Sequence, residues 1–204
     1  MQSFSEIDTT SKRASKAAGF TWGIAEEIGK NMINLEMFGL PGIKNLNLYF
    51  RKIKKKPNEK PKSIEKKNKP KSKEFCPIYC GVAFLDNCKK LENLKLIKFF
   101  NVSYPLLFLP FLSRSSDIVG KKILVKYEKN NFLLNFDKTV FSSNSNNDQI
   151  ISKTKEISIT FIENNNLFSL KEWKELYKLS EETFVGETES LKMKGAGAGL
   201  TDND

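Results

Sequence analysis

An α+β fold is predicted for this chain of 204 residues, and three observations predict it. Apolar residues recur at steps of three and four through the first 50 residues, the mark of amphipathic helices. After Phe75 the period shortens toward strand alternation. A capped helical pattern returns at Ser169. The expected architecture is an N-terminal helical segment, a mostly antiparallel sheet, a C-terminal helix and a glycine-rich tail. The helices at both ends are expected on one face of the sheet, because an open sheet needs a cover for its apolar side. The expected division is 1–50 for the N-terminal helices, 51–74 for a disordered lysine-rich linker and 75–204 for an α+β body with the tail.

Ser3 and Glu6 stand at capping-box spacing, so a first helix is expected over Phe4–Ala18, stopping at Gly19. Thr21 can cap a second, with Trp22, Ala25, Ile28, Met32 and Leu35 on one face. Gly39-Leu40-Pro41-Gly42 ends it, since proline disfavours a helical residue before it. Ile43, Leu46, Phe50 and Ile53 form the stripe of a third helix. Strands are expected at Ile78–Leu85, Leu94–Val102, Leu106–Phe111, Ile123–Glu128, Phe132–Phe136 and Ile157–Ile162. Asn130-Asn131 reads as a hairpin turn, because asparagine tolerates positive φ. Ser169 and Glu172 repeat the capping box, and Phe168 and Trp173 stand at hydrophobic-staple positions. Leu170, Trp173, Tyr177 and Phe184 are assigned to the buried face of this last helix.

The net charge of +10 is concentrated in one place. Residues 51–74 carry twelve basic and three acidic side chains, nine of the ten net charges. Ile64 is the only large apolar residue between Ile53 and Phe75, so there is little to bury and disorder is expected. Such a segment can hold nucleic acid by counterion release. It has no aromatics for base stacking, and no nucleic-acid-binding motif accompanies it, so a solvated insert is the preferred reading. Lysine and asparagine abound while Arg13, Arg51 and Arg114 are the only arginines, a bias that an AT-rich genome also produces.

Histidine is absent, which removes Ser-His-Asp triads, Cys-His pairs and histidine metal sites from the chemistry open to this chain. Cys76, Cys80 and Cys88, spaced C-x3-C-x7-C, fall short of a four-ligand zinc site, so no metal is assigned; no cofactor is identified. An odd cysteine count without a secretory leader points to a reducing compartment. The longest apolar run, Tyr104–Leu112, is about half a membrane span. A soluble cytoplasmic protein without membrane contact is expected.

The stretch from Gly19 through Trp22-Gly23-Ile24-Ala25-Glu26-Glu27 to Lys30 resembles an uncharacterised bacterial family, a domain of unknown function. So do Gly39-Leu40-Pro41-Gly42, Cys76-Pro77, Leu106–Leu112 and the ending Gly195–Asp204. The resemblance spans most of the chain outside the lysine-rich segment. The Trp-Gly-x-Ala-Glu-Glu block and the terminal block are its most specific parts. It implies that the glycine-rich ending is a family feature, and it brings no activity or catalytic residue with it.

Gly195, Gly197 and Gly199 leave the backbone of that ending bare, and Thr201, Asp202 and Asp204 give it an anionic tip. The tail can fray. It can fold over its own domain and complete a pocket, its amides facing an anion and Asp202 or Asp204 a cation. It can insert into a partner subunit. Glu26 beside Trp22 is a candidate general base or cation ligand, against a solvated pair with Lys30. Cys76 before Pro77 is the candidate reactive thiol. Arg114 offers a rigid fork for a carboxylate or phosphate, in a ligand or in an acid such as Asp117.

Two functional classes fit. The preferred one is a protein of small-molecule metabolism, an enzyme or its accessory subunit. Its catalytic candidates are Glu26, Cys76 and Arg114, with Trp22, Gly195, Gly197, Gly199, Thr201, Asp202 and Asp204 as ligand-binding candidates. The alternative is a non-catalytic partner-binding or scaffolding protein, engaging a homo- or hetero-oligomeric partner through the tail or the lysine segment, with nucleic acid ranked behind a protein partner.

Overall fold

A computed structural model describes residues 2–135, 139–142 and 150–183, which fall into two units, Met1–Asn164 and Asn165–Asp204. The first opens with α1 (Phe4–Ala17), α2 (Trp22–Met37) and α3 (Gly42–Ile53). The capping box of α1 closes both ways: Ser3 Oγ accepts from the Glu6 amide, and the Ser3 amide donates to the Glu6 carboxylate. Thr21 stands at the N-cap of α2 without a side-chain hydrogen bond. The turn before it depends instead on Gly19, at φ +99°, where a Cβ would lie 2.6 Å from the Lys55 carbonyl oxygen.

Two of the expected strands are helical. Residues expected as the strand Ile78–Leu85 lie in α4 (Pro77–Leu91), with Cys76 at the N-cap and Pro77 at N1, where a missing N–H is no loss. Its buried Ile78, Gly81, Phe84, Cys88 and Leu91 recur at steps of three and four. Residues expected as the strand Leu106–Phe111 form a single 3-10 turn, Pro105–Phe108, that runs into α5 (Leu109–Val119). Every residue from 105 to 113 is buried. An apolar run without polar positions is one enclosed on all sides, and α5, which continues it, meets α4, the sheet and α2. Of the N-terminal helices, α2 meets α5 and α3 meets the 105–108 turn.

The sheet contains β1 (Lys67–Asn68), β2 (Leu96–Ser103), β3 (Lys122–Tyr127), β4 (Asn130–Leu134), β5 (Val140–Ser142) and β6 (Lys153–Ile162). Its order is β1-β2-β6-β3-β4-β5, antiparallel except for β1 on β2. The β3–β4 hairpin turns at Glu128-Lys129, with Glu128 at φ +50°, so Asn130 pairs with Tyr127 instead of making the turn. The covered side is aromatic. Phe99 of β2 meets Phe108 edge-on at 5.3 Å, and Phe84 of α4 stacks on Phe161 of β6 at 6.0 Å.

Where a disordered linker was expected, the chain is tied along the edge of β2. The Lys98 amide donates to the Lys66 carbonyl at 2.9 Å. Buried Asn68 donates to the carbonyls of Glu65 and Lys98 and accepts from the Glu65 amide. The Glu59 carboxylate accepts from the amides of Lys71 and Ser72, and the Glu59 carbonyl from the Cys76 amide. The expectation counted only apolar burial. The segment is held by backbone and side-chain hydrogen bonds, which composition does not register.

In the second unit α6 (Leu170–Glu181) has its reciprocal capping box at Ser169 and Glu172, and Phe168 stacks on Trp173 at 5.4 Å. None of its residues is buried, so Leu170, Trp173 and Tyr177 do not lie on a buried face. Periodicity defines an apolar face without supplying a surface to cover it. Phe136, Phe184 and the whole Gly195–Asp204 ending lie outside the described residues.

The α4–α5 contact yields a stability prediction. A Cβ at Gly81 would run into the ring of Phe111, whereas one at Gly23 would meet nothing within 4 Å. Gly81→Ala is expected to destabilise by about 1–3 kcal/mol through overpacking. Gly23→Ala is expected to stabilise by about 0.5–1 kcal/mol, since alanine loses less backbone freedom in a helix. Urea denaturation of both variants followed by circular dichroism checks the opposite signs.

Candidate functional site

The candidates named from sequence are not gathered into one constellation among the described residues. Trp22 is 54% exposed, with Lys16 Nζ 5.7 Å from its ring centre. Glu26 faces solvent. Its neighbour Glu27 takes the ion pairs instead, with Lys30 at 3.1 Å on the same helix and with Arg114 of α5. Burial raises the Glu27 carboxyl, but the hydrogen bonds and charges of Arg114 and Lys30 outweigh it and hold the group below its usual value. Arg114 thereby ties α2 to α5. Cys76 is fully buried; its Sγ accepts from the Tyr79 amide at 3.5 Å. Burial pushes this thiol up to about 11, above the hydrogen bonds that oppose it, so it is protonated at neutral pH and not a thiolate nucleophile. Cys80 is also driven up by burial. Among the described residues no group of three or more His, Cys, Asp or Glu side chains stands ready for a metal ion. No described helix is long and apolar enough to cross a membrane.

A polar cluster missed in the sequence sits where the lysine-rich segment returns to the sheet. Ser103, at the end of β2 and fully buried, donates to the Glu74 carboxylate. Its oxygen accepts from Asn58 Nδ2 at 2.8 Å and from Lys52 Nζ at 3.3 Å. Lys52 also pairs with Glu74, and Lys153 Nζ lies 3.8 Å from the same carboxylate. The next residue, Tyr104, holds φ +39°, and its ring lies 5.9 Å from Lys52 Nζ. A hydroxyl so enclosed has no path to a substrate. The cluster joins α3, the lysine-rich segment, β2 and β6 as a clasp, and five residues this far apart in the chain leave no spacing to read.

What the clasp positions is the second face of the sheet. Along β2, β3, β4 and β6 buried residues alternate with exposed or half-buried ones. The register aligns the latter in rows. One row runs Lys67, Lys98, Ser158, Lys126, Asn131 from β1 to β4. A parallel row runs Leu96, Thr160, Leu124, Leu133, Phe141 out to β5. On the other side of the lysines stand Phe100 and Glu156. Lys69 Nζ lies 5.5 Å from the Phe100 ring centre, and Lys98 donates to Glu156 at 2.7 Å. Three lysines therefore cross three strand spacings, about 14 Å, with Lys69 beside them and the Glu156 carboxylate paired to Lys98. Around the edge strand a recess of about 260 Å³ is lined by Lys62, Lys67, Lys69 and Lys71 with Glu59 and Glu65.

Residues 2–78 match the family described as a protein of unknown function, DUF3726. No curated protein and no solved structure matches the chain. The matched range holds the Trp22–Glu27 block, the Gly39–Gly42 turn and Cys76-Pro77, and it runs through the lysine-rich segment that forms β1. The tail lies beyond it.

The clasp carries a pH dependence. Burial raises the Glu74 carboxyl, and the hydrogen bonds of Lys52 and Ser103 with the nearby lysine charges outweigh it, leaving the group below its usual value. A carboxyl depressed in the folded state stabilises the fold above its unfolded pKa and loses that contribution as pH falls through the folded one. Glu74→Gln is expected to destabilise by about 1–2 kcal/mol at neutral pH, with the gap to the parent narrowing below about pH 4. Denaturant titrations of both proteins across that range check it; a gap that widens in acid contradicts the assignment.

Proposed function

We propose that this chain is a non-catalytic binding protein that takes an anionic polymer on the sheet face opposite α4 and α5. The observation that carries the reading is the row Lys67, Lys98, Lys126, which the sheet register aligns across four adjacent strands. Aligned cations on a rigid element attract a polyanion and release its counterions on binding. The lysine-rich segment strengthens this, because its course along β2 sets Lys67 and Lys69 beside Lys98 and Phe100. The three buried free cysteines suit a reducing compartment, and we place the protein in the cytoplasm. The reading as a small-molecule enzyme or accessory subunit depends on the tail. The described candidates give it less support, since Cys76 is enclosed and Arg114 is engaged with Glu27.

The test is retention on immobilised heparin. A variant carrying Lys67→Glu, Lys98→Glu and Lys126→Glu is compared with one carrying Lys44→Glu, Lys89→Glu and Lys90→Glu, which changes the net charge equally on exposed helical positions. The sheet variant is expected to elute at clearly lower salt than both the parent and the helix variant. Equal elution of the two variants would show that net charge alone drives retention, and the reading would fall.

A further inference from the structure

The lysine row is flanked on both sides by aromatic rings, and that arrangement bears on which polyanion the face accepts. Phe100 of β2 stands two residues along the strand from Lys98, about 7 Å away, and it is half-buried with an ammonium over its ring. Phe141 of β5 is 56% exposed and ends the row of Leu96, Leu124 and Leu133 on the other side of the lysines. A smooth polyanion such as heparin uses only the charges. A duplex presents phosphates and keeps its bases stacked inside, so it too leaves the rings unused. A single strand exposes base faces along with phosphates, and base–aromatic stacking tolerates any sequence. Flat antiparallel sheets that display aromatic side chains among cations suit such a ligand, because rings standing off the sheet can be overlaid by splayed bases.

We infer that the sheet face opposite α4 and α5 binds single-stranded nucleic acid, with phosphates on Lys67, Lys98 and Lys126 and bases on Phe100 and Phe141. This rests on the polyanion reading above and narrows its ligand. In the complex Lys98 exchanges the more exposed Glu156 carboxylate for a phosphate, Lys69 leaves the Phe100 ring for another, and a base takes the place of Lys69. The lysine-rich segment lacks aromatics of its own, and the fold supplies them from β2 and β5. Binding is without base-edge readout, so sequence preference is weak and salt dependence steep.

Fluorescence anisotropy on the full chain tests this with labelled oligo-dT of about 16 nucleotides, the matching duplex, heparin as competitor, and vesicles of phosphatidylserine and phosphatidylcholine. The single strand is expected to bind at least about tenfold tighter than the duplex, by the weight of one or more stacked bases. Phe100→Ala and Phe141→Ala are each expected to weaken single-strand binding by about 5- to 100-fold and to leave heparin retention unchanged. Phe100→Leu keeps apolar bulk without the π-face and should show the same loss, which separates stacking from misfolding; circular dichroism confirms the fold. The triple lysine variant should lower the slope of log K against log salt by about 2. Equal affinity for single strand and duplex, with no effect of the phenylalanine variants, overturns the inference while the heparin result stands. Loss of every polyanion interaction overturns both readings. Binding to the vesicles that depends on Phe100 and Phe141, without single-strand binding, overturns it in favour of a lipid surface.

Discussion

The hydrogen-bonded cluster around Ser103 and Glu74 is the constraint on which the rest of this structure turns. A fully buried hydroxyl and a largely enclosed carboxylate are costly to desolvate unless every partner is present. Lys52, Asn58 and Lys153 supply those partners from α3, the lysine-rich segment and β6. With that end fixed, and with the Glu59 carbonyl accepting from the Cys76 amide, the intervening residues are closed into a loop of defined path. A run of like charges that would repel in water is thus laid along β2. Its lysines also guard the sheet edge, since a two-residue edge strand flanked by Lys66 and Lys69 is a poor template for pairing with another chain.

The layering within the first unit decides which face of the sheet its helices cover. Helices α4 and α5 and the 105–108 turn cover one side, with Phe84 of α4 against Phe161 and Phe108 of the turn against Phe99. α2 packs on α5 in turn, so the first turn of α5 is enclosed and continues the apolar run of the turn before it. An antiparallel sheet tolerates one solvated face, and here that face alternates lysines with leucines and phenylalanines rather than presenting a plain polar surface. The pleat brings every second residue of four strands to it. Residues separated in the chain by dozens of positions thereby become a row with one spacing.

The residues that look reactive in isolation serve structure. Cys76 caps α4 from a fully enclosed position. Arg114 and Glu27 join two helices, and the fork geometry singled out from sequence is met by a carboxylate of the same chain rather than by a ligand. The choice between Glu26 and Glu27 depended on which side of α2 faces α5, and adjacent helical positions diverge by about 100°.

Capping boxes at Ser3 and Ser169, the Phe168–Trp173 staple, the three opening helices and most of the antiparallel strands were legible in the sequence, because each rests on contacts within a few residues. The helical nature of 77–91 and 105–119 was obscured, since a stretch buried on several sides loses the polar positions that reveal its period; Pro77 at N1 was the available signal. The path of residues 54–74 was not legible, because composition measures apolar burial and is silent about hydrogen bonds to a distant strand. The sequence by itself determined the charge, the absence of histidine chemistry and the local start and stop of α1, α2, α3 and α6. Only the tertiary structure decided that Lys67, Lys98 and Lys126 share a row between Phe100 and Phe141, because register is a property of paired strands and exists in no single segment of the chain.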